Sequence, residues 1–235
     1  MIALRKAPSS YDERFMDTMA NEYLERTPWT ELRLEAVRDL VDPQPGDRIL
    51  DLGCAAGAMT HYLSTFGAAS VGIDFEELAI AKARQLFPKC AFEVADATAL
   101  PFDDASFDLV VSYNSLIDVD DMPAAVTEAG RVLRSGGCFC ACVPHPFSEA
   151  GEFTSNDADA AFIVEGSYLQ EADYELVSER NGIVFHFVSR RFPLESYARA
   201  LEGAGSRSKR CASHRSLASI ATVGCACRSS CSGAR

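Results

Sequence analysis

The sequence predicts an α/β fold, a doubly wound and mostly parallel sheet with helices on both faces and a small β-hairpin cap. Three observations carry that prediction. Arg48-Ile49-Leu50-Asp51-Leu52-Gly53-Cys54-Ala55-Ala56-Gly57 reads as a buried strand entering a glycine turn, and an apolar pattern at helical spacing follows it (Ala58, Met59, Tyr62, Leu63, Phe66). Two further short strands also end in an acid, Ser70-Val71-Gly72-Ile73-Asp74 and Phe92-Glu93-Val94-Ala95-Asp96. Helical patterns alternate with them, as a parallel sheet requires. Asn181-Gly182 stands between two β-rich runs, 174–180 and 183–188, and is the strongest short-range signal for a hairpin.

Taken in order, residues 11–24 space Tyr11, Phe15, Met19 and Tyr23 four apart, which predicts an amphipathic helix. Thr27-Pro28 reads as an N-cap followed by a first-turn proline, opening a helix that carries Leu32, Ala36, Val37, Leu40 and Val41. Asp42-Pro43-Gln44-Pro45-Gly46 ends it before the first strand. After the second strand a helix is predicted from Glu77 to Leu86, stopped by Pro88, and a fourth strand covers Phe107 to Ser112. The next helix is read from Met122 to Arg134, with Gly136-Gly137 as its terminator, and a fifth strand from Cys138 to Val143. Residues 148–160 read as a loop, and a last helix spans Pro193 to Glu202.

With 235 residues the chain is long enough for one substantial core, and 48% hydrophobic with 24% charged residues is ordinary for a globular protein. No apolar run is long enough for a membrane span and no secretory pattern opens the chain, so a cytoplasmic location away from membranes is expected. The net charge of −12 disfavours a nucleic-acid partner. Nine cysteines would suit a disulfide framework, but Cys138, Cys140 and Cys142 alternate along one strand and read as small buried apolar groups. No C-x-x-C pair accompanies them, and no metal site is expected.

The glycine turn is where chemistry is expected. Glycines let backbone approach a ligand, and the following helix offers free N–H groups. Asp51 is placed to accept from an amine or to position the turn, and a dinucleotide turn has no need of an acid there. With Asp51, Gly53 and Gly57 in the pattern acid-x-Gly-x-Gly-x-Gly, the chain resembles the class I S-adenosylmethionine (SAM)-dependent methyltransferases of the small-molecule type. Ala55 stands where that family has its middle glycine. The run Arg131-Val132-Leu133-Arg134-Ser135-Gly136-Gly137 is similar to the family's R-x-L-x-x-G-G stretch.

The resemblance implies a Rossmann-like core and a set of cofactor contacts. Asp74 would accept from the two ribose hydroxyls, Phe75 would lie against the adenine, and Asp96 with Ala97 would meet the adenine amino group. Gly53, Cys54, Ala55 and Gly57 line the turn, and Tyr113 and Asn114 close the set at the end of the fourth strand. That end, Ser112-Tyr113-Asn114-Ser115, lacks the Asn/Asp-Pro-Pro-aromatic run of base-methylating relatives. His145, held between Pro144 and Pro146 just past the fifth strand, is the candidate catalytic base or orienting group. Tyr11, Phe15, Tyr23 and His186 are substrate-side candidates, with simple core or structural roles as the alternative.

The implied reaction moves a methyl group from SAM to an O, N or C atom of a small molecule, leaving S-adenosylhomocysteine (SAH). A degenerate SAM- or SAH-binding protein without turnover is the alternative, motivated by Ala55, and a nicotinamide-dependent oxidoreductase is disfavoured by Asp51 and Asp96. Self-association as a homodimer is left open.

The expected organisation is N-terminal helices covering the site (1–44), a cofactor-binding core (45–147), an inserted loop and hairpin cap (148–192), and a C-terminal helix with an atypical tail (193–235). All 34 acids precede residue 205, against 16 cations there, while the tail holds six cations, eight Ser and four Cys. The fold calls for an antiparallel strand pair in this tail, yet only 219–223 reads as strand. A basic tail and a shifted reading frame near Gly205 are both consistent with this composition, and the second is preferred.

Overall fold

The computed structural model describes residues 12–25, 28–146, 150–155, 157, 159–180, 182–214 and 221–228. Five parallel strands form the centre of the sheet: β1 (Arg48–Leu52), β2 (Ala69–Asp74), β3 (Ala91–Val94), β4 (Phe107–Tyr113) and β5 (Leu133–Pro144). Among the described residues, β10 (Ser206–His214) and β11 (Ala221–Arg228) add an antiparallel pair, giving the order β10-β11-β5-β4-β1-β2-β3. The pair therefore covers the β5 edge; of the run 219–223 read as strand, 221–223 fall in β11, and 219–220 lie outside the described residues.

Alternation along each strand sends neighbours to opposite faces. Ile49, Leu109, Val111, Cys140 and Cys142 face one way, under α2 (Pro28–Val41), α3 (Ala58–Ser64) and α4 (Glu77–Leu86). Leu50, Leu52, Val110, Phe139 and Val143 face the other, under α5 (Met122–Val132) and α6 (Leu194–Gly203). The doubly wound architecture read from the sequence is thus observed. Because the five central strands run parallel, their C-terminal ends share one edge, where ligands of open α/β sheets bind.

Four readings need correction. The fifth α-helix stops at Val132, not Arg134, because Leu133 is already extended (φ −76°, ψ 133°), fully buried, and paired with Phe107. Gly136 and Gly137 lie inside β5, where a side chain at 137 would press on the Asp108 carbonyl. The loop read at 148–160 contains β6 (Gly151–Phe153), which pairs with β7 (Phe162–Val164) as a second small hairpin; Gly151 runs too close to the Ile163 carbonyl for any side chain. Third, Cys140 and Cys142 are buried thiols, but Cys138 is disulfide-bonded. Fourth, Asp96 falls beyond the strand, which ends at Val94.

The expected cap hairpin is formed by β8 (Ala172–Arg180) and β9 (Ile183–Arg191), turning through Gly182 at φ +76°. Its inward face sets Phe185 and Phe187 against Phe15 of α1 (Glu13–Leu24), with Met16 and Ala79 completing the cluster. An ion pair from Asp17 to Lys82 fixes the same helix to α4. No helix among the described residues is long and apolar enough to cross a membrane.

Candidate functional site

The turn between β1 and α3 is bent by three positive-φ residues, Gly53 (+78°), Ala55 (+45°) and Gly57 (+85°). A side chain at Gly53 would overlap Ser115, and one at Gly57 would strike the Phe92 ring. The N–H groups of Gly53 and Cys54 both donate to the Ile73 carbonyl, at 2.9 and 2.8 Å, which ties the turn to β2. Ser115 hydroxyl donates to the Leu52 carbonyl (2.5 Å) and pairs with Ser112 (2.6 Å), locking the end of β4 to the same turn.

Asp51 resolves its two expected roles by position. It is fully buried behind the turn and accepts from the Thr60 hydroxyl at 2.6 Å, so it holds the start of α3. Gly72 is required for this contact, since a side chain there would meet the Thr60 hydroxyl. Burial pushes the Asp51 carboxyl up to about 7, and only partly do the Thr60 bonds offset it.

Asp74 stands at the end of β2. Its Oδ2 accepts from the Ala55 N–H at 2.9 Å and its Oδ1 from the Glu76 N–H at 3.0 Å. Burial raises its carboxyl, and the neighbouring Asp118 adds to that. A carboxylate has about four acceptor positions, so Asp74 can receive a ligand donor beside these backbone bonds. Phe75 follows, 41% exposed, as a free aromatic face beside the turn. Asp96 is exposed and its Oδ1 is taken by the N–H and hydroxyl of Thr98, both at 2.8 Å, while Ala97 packs into the core beneath. Asn114 adopts φ +55°, which its residue type tolerates, and donates its N–H to the Cys142 carbonyl; Tyr113 packs on the α2–α4 side. Cys54 is a buried thiol whose titration is driven well up by burial and by Asp51, so it remains protonated and inert.

The structure brings Asp51, Gly53, Cys54, Ala55, Gly57, Asp74, Phe75, Asp96, Ala97, Tyr113 and Asn114 to one sheet edge, and His145 joins them directly after β5. His145 is half-buried, and burial holds its imidazole below the usual value, hence neutral at pH 7. The substrate-side candidates divide. Phe15 lies under the hairpin. Tyr23 is buried and bonded to His61 Nδ1 at 2.8 Å, with His61 stacked on Phe87; it braces α1 against α3. His186 shares the outward face of β9 with Val184 and is exposed. Tyr11 lies outside the described residues.

Several contributors were not singled out from sequence. Thr60, Ser112 and Ser115 act only through pairing partners distant in the chain. Arg131 donates to the carbonyls of Leu100 and Phe102 and pairs with Glu128 and Asp104, while Glu128 accepts from the Leu100 N–H. This clamp holds the segment after Asp96. Asp118, in the 3-10 turn Leu116–Asp118 just beyond β4, accepts from the buried Ser189 hydroxyl of β9 at 2.7 Å.

The doubly wound sheet, the acid-bearing glycine turn and the second acid holding that turn are the features in which the chain resembles the class I SAM-dependent methyltransferases. In comparison with known proteins, residues 50–141 match the family described as "Methyltransferase domain". The chain is similar to a demethylmenaquinone methyltransferase of Beutenbergia cavernae, 37% identical over 102 residues covering 43% of this chain and 42% of that protein. It is also similar to a probable SAM-dependent methyltransferase of Mycolicibacterium smegmatis, 30% identical over 148 residues, 60% of this chain and 56% of the relative. The matched stretch thus spans less than two thirds of either relative. The same fold is seen in a SAM-dependent methyltransferase structure from Mesorhizobium loti, with TM-score 0.70, 22% identity, and coverage of 83% of this chain and 96% of that one.

Proposed function

We propose that the chain transfers a methyl group from SAM to a small-molecule acceptor, releasing SAH. The observation that supports this best is the turn at 53–57 held from beneath by Asp74. Its glycines let the turn pack directly on Ser115 and Phe92 at positive φ, which fixes the backbone of the turn at the sheet edge where ligands of open α/β sheets bind. SAM supplies a methyl already made electrophilic by its sulfonium. The protein's share is alignment: Asp74 receives the ribose hydroxyls, Phe75 covers the adenine, and Asp96 and Ala97 meet its edge. Holding an acceptor in line supplies about 7–11 kcal/mol of a barrier of this type. His145, neutral at pH 7, takes the acceptor's proton where the acceptor is a hydroxyl or an ammonium.

Calorimetry with SAM, SAH and NAD tests the first half. SAM and SAH should bind and NAD should not, and Asp74→Ala should weaken SAM by about 1.5–3 kcal/mol, the range for hydrogen bonds to a charged group. Equal binding of NAD, or an unchanged affinity in a folded Asp74→Ala protein, sinks the assignment. His145→Gln, assayed by SAH release with a turned-over acceptor, should lower kcat about 10²–10⁴-fold at constant SAM affinity. A drop under about threefold removes His145 from the chemistry. The second reading, cofactor binding without turnover, is favoured by the strained Ala55 in the turn; it predicts SAH binding with no product across an acceptor panel.

A further inference from the structure

The geometry points to Asp118, aimed by Ser189, as the group that receives the acceptor, and to an acceptor presenting a hydroxyl or ammonium donor beside an aromatic or apolar body. This inference rests on the methyl-transfer reading above. Asp118 belongs to neither the glycine turn nor the ribose-holding end of β2. It sits one short turn beyond β4, at the same sheet edge as Asp74, close enough that its charge raises the Asp74 carboxyl. The carboxylate is half-buried and accepts from a Ser189 hydroxyl that is only 5% exposed, so the cap helps to orient it.

Ser189 lies on the inward face of β9, two residues after Phe187 and four after Phe185. Strand geometry puts Phe187 about 7 Å along from the Ser189–Asp118 contact. The cap thus places an oriented carboxylate beyond the end of β4 and, two residues along β9, the half-buried Phe187 ring, which packs on Phe15. A carboxylate in partly desolvated surroundings favours a hydrogen-bond donor or cation and rejects an anion. His145 follows β5 and Asp118 follows β4, its neighbour in the sheet, so both stand beyond the same C-terminal edge of the parallel strands.

The test uses the SAH complex of the full chain and tyramine, which joins a phenol and an ammonium to one ring, against 4-hydroxyphenylacetate, which replaces the ammonium with a carboxylate. SAH affinity is measured first in wild type, Asp118→Asn and Ser189→Ala, with thermal melting to establish folding. SAH should bind all three alike. Tyramine should bind the wild-type complex at least tenfold more tightly than 4-hydroxyphenylacetate, Asp118→Asn should lose about tenfold or more of that affinity, and Ser189→Ala about threefold. Failure of wild type to bind SAH overturns the methyl-transfer reading itself. Retained SAH binding with no tyramine binding, with the anion bound as well as the cation, or with Asp118→Asn unchanged, overturns the role of Asp118 alone.

Discussion

Asp51 shows what a single buried acid does when no cation faces it among its described contacts. Its carboxyl, raised from 3.8 to about 7, keeps its proton in the folded state over a range where the unfolded chain gives it up. The stability this group contributes is therefore full below about pH 4 and is lost as pH rises through about 7. Asp51→Asn removes the titration while leaving an oxygen for Thr60. Melting curves from pH 4 to 8 should show wild type falling relative to Asp51→Asn across that window, and parallel curves would refute the buried titration. Neither the burial nor Thr60 was legible from residue types: Asp51 was readable as an acid at a strand end, but its direction depended on Gly72 of the adjacent strand leaving space for the Thr60 hydroxyl.

At the scale of an element, the turn from β1 to α3 departs from the pattern acid-x-Gly-x-Gly-x-Gly at Ala55, and the departure has a conformational cost. At φ +45° a β-carbon is crowded, at about 1–2 kcal/mol, whereas glycine is not. Ala55→Gly regains part of that and loses about 0.4–1 kcal/mol to the freer unfolded chain. The expected net gain is about 0.5–1 kcal/mol by denaturant midpoint with SAH affinity unchanged, and a destabilised variant would show that the Ala55 methyl is packed usefully. This turn, β1, β2 and the hairpin were readable because buried apolar runs, glycines and Asn-Gly are local signals. The start of β5 was not. Arg134-Ser135-Gly136-Gly137 has the composition of a helix terminator, and only pairing of Leu133 with Phe107, far away in sequence, converts it into strand. The β6–β7 pair escaped for a different reason, since three-residue strands carry too little periodicity to read.

For the whole molecule, the division of labour runs between sheet and cap. The sheet edge supplies the turn, Asp74 and His145. The cap supplies Phe185, Phe187 and Ser189, and touches the core through Phe15 and Asp118. Replacing residues 173–190 by an Asn-Gly turn should leave SAH affinity within about threefold while abolishing tyramine binding, and should lower the melting temperature because Met16 and Phe15 lose their cover. Loss of SAH binding in a folded variant would show that the cap helps to build the cofactor half. The replacement is geometrically simple for a reason already visible in the hairpin: Ala172 and Arg191 are directly paired, so the insertion leaves and re-enters the chain at one point. A part joined at a single point is transplantable. Hairpins of other lengths and chemistries can be spliced there without altering the path of the chain on either side. On the methyl-transfer reading proposed above, acceptor preference in this scaffold is then free to diverge by exchange of one cassette, while the half assigned to the methyl donor stays under its own, separate selection.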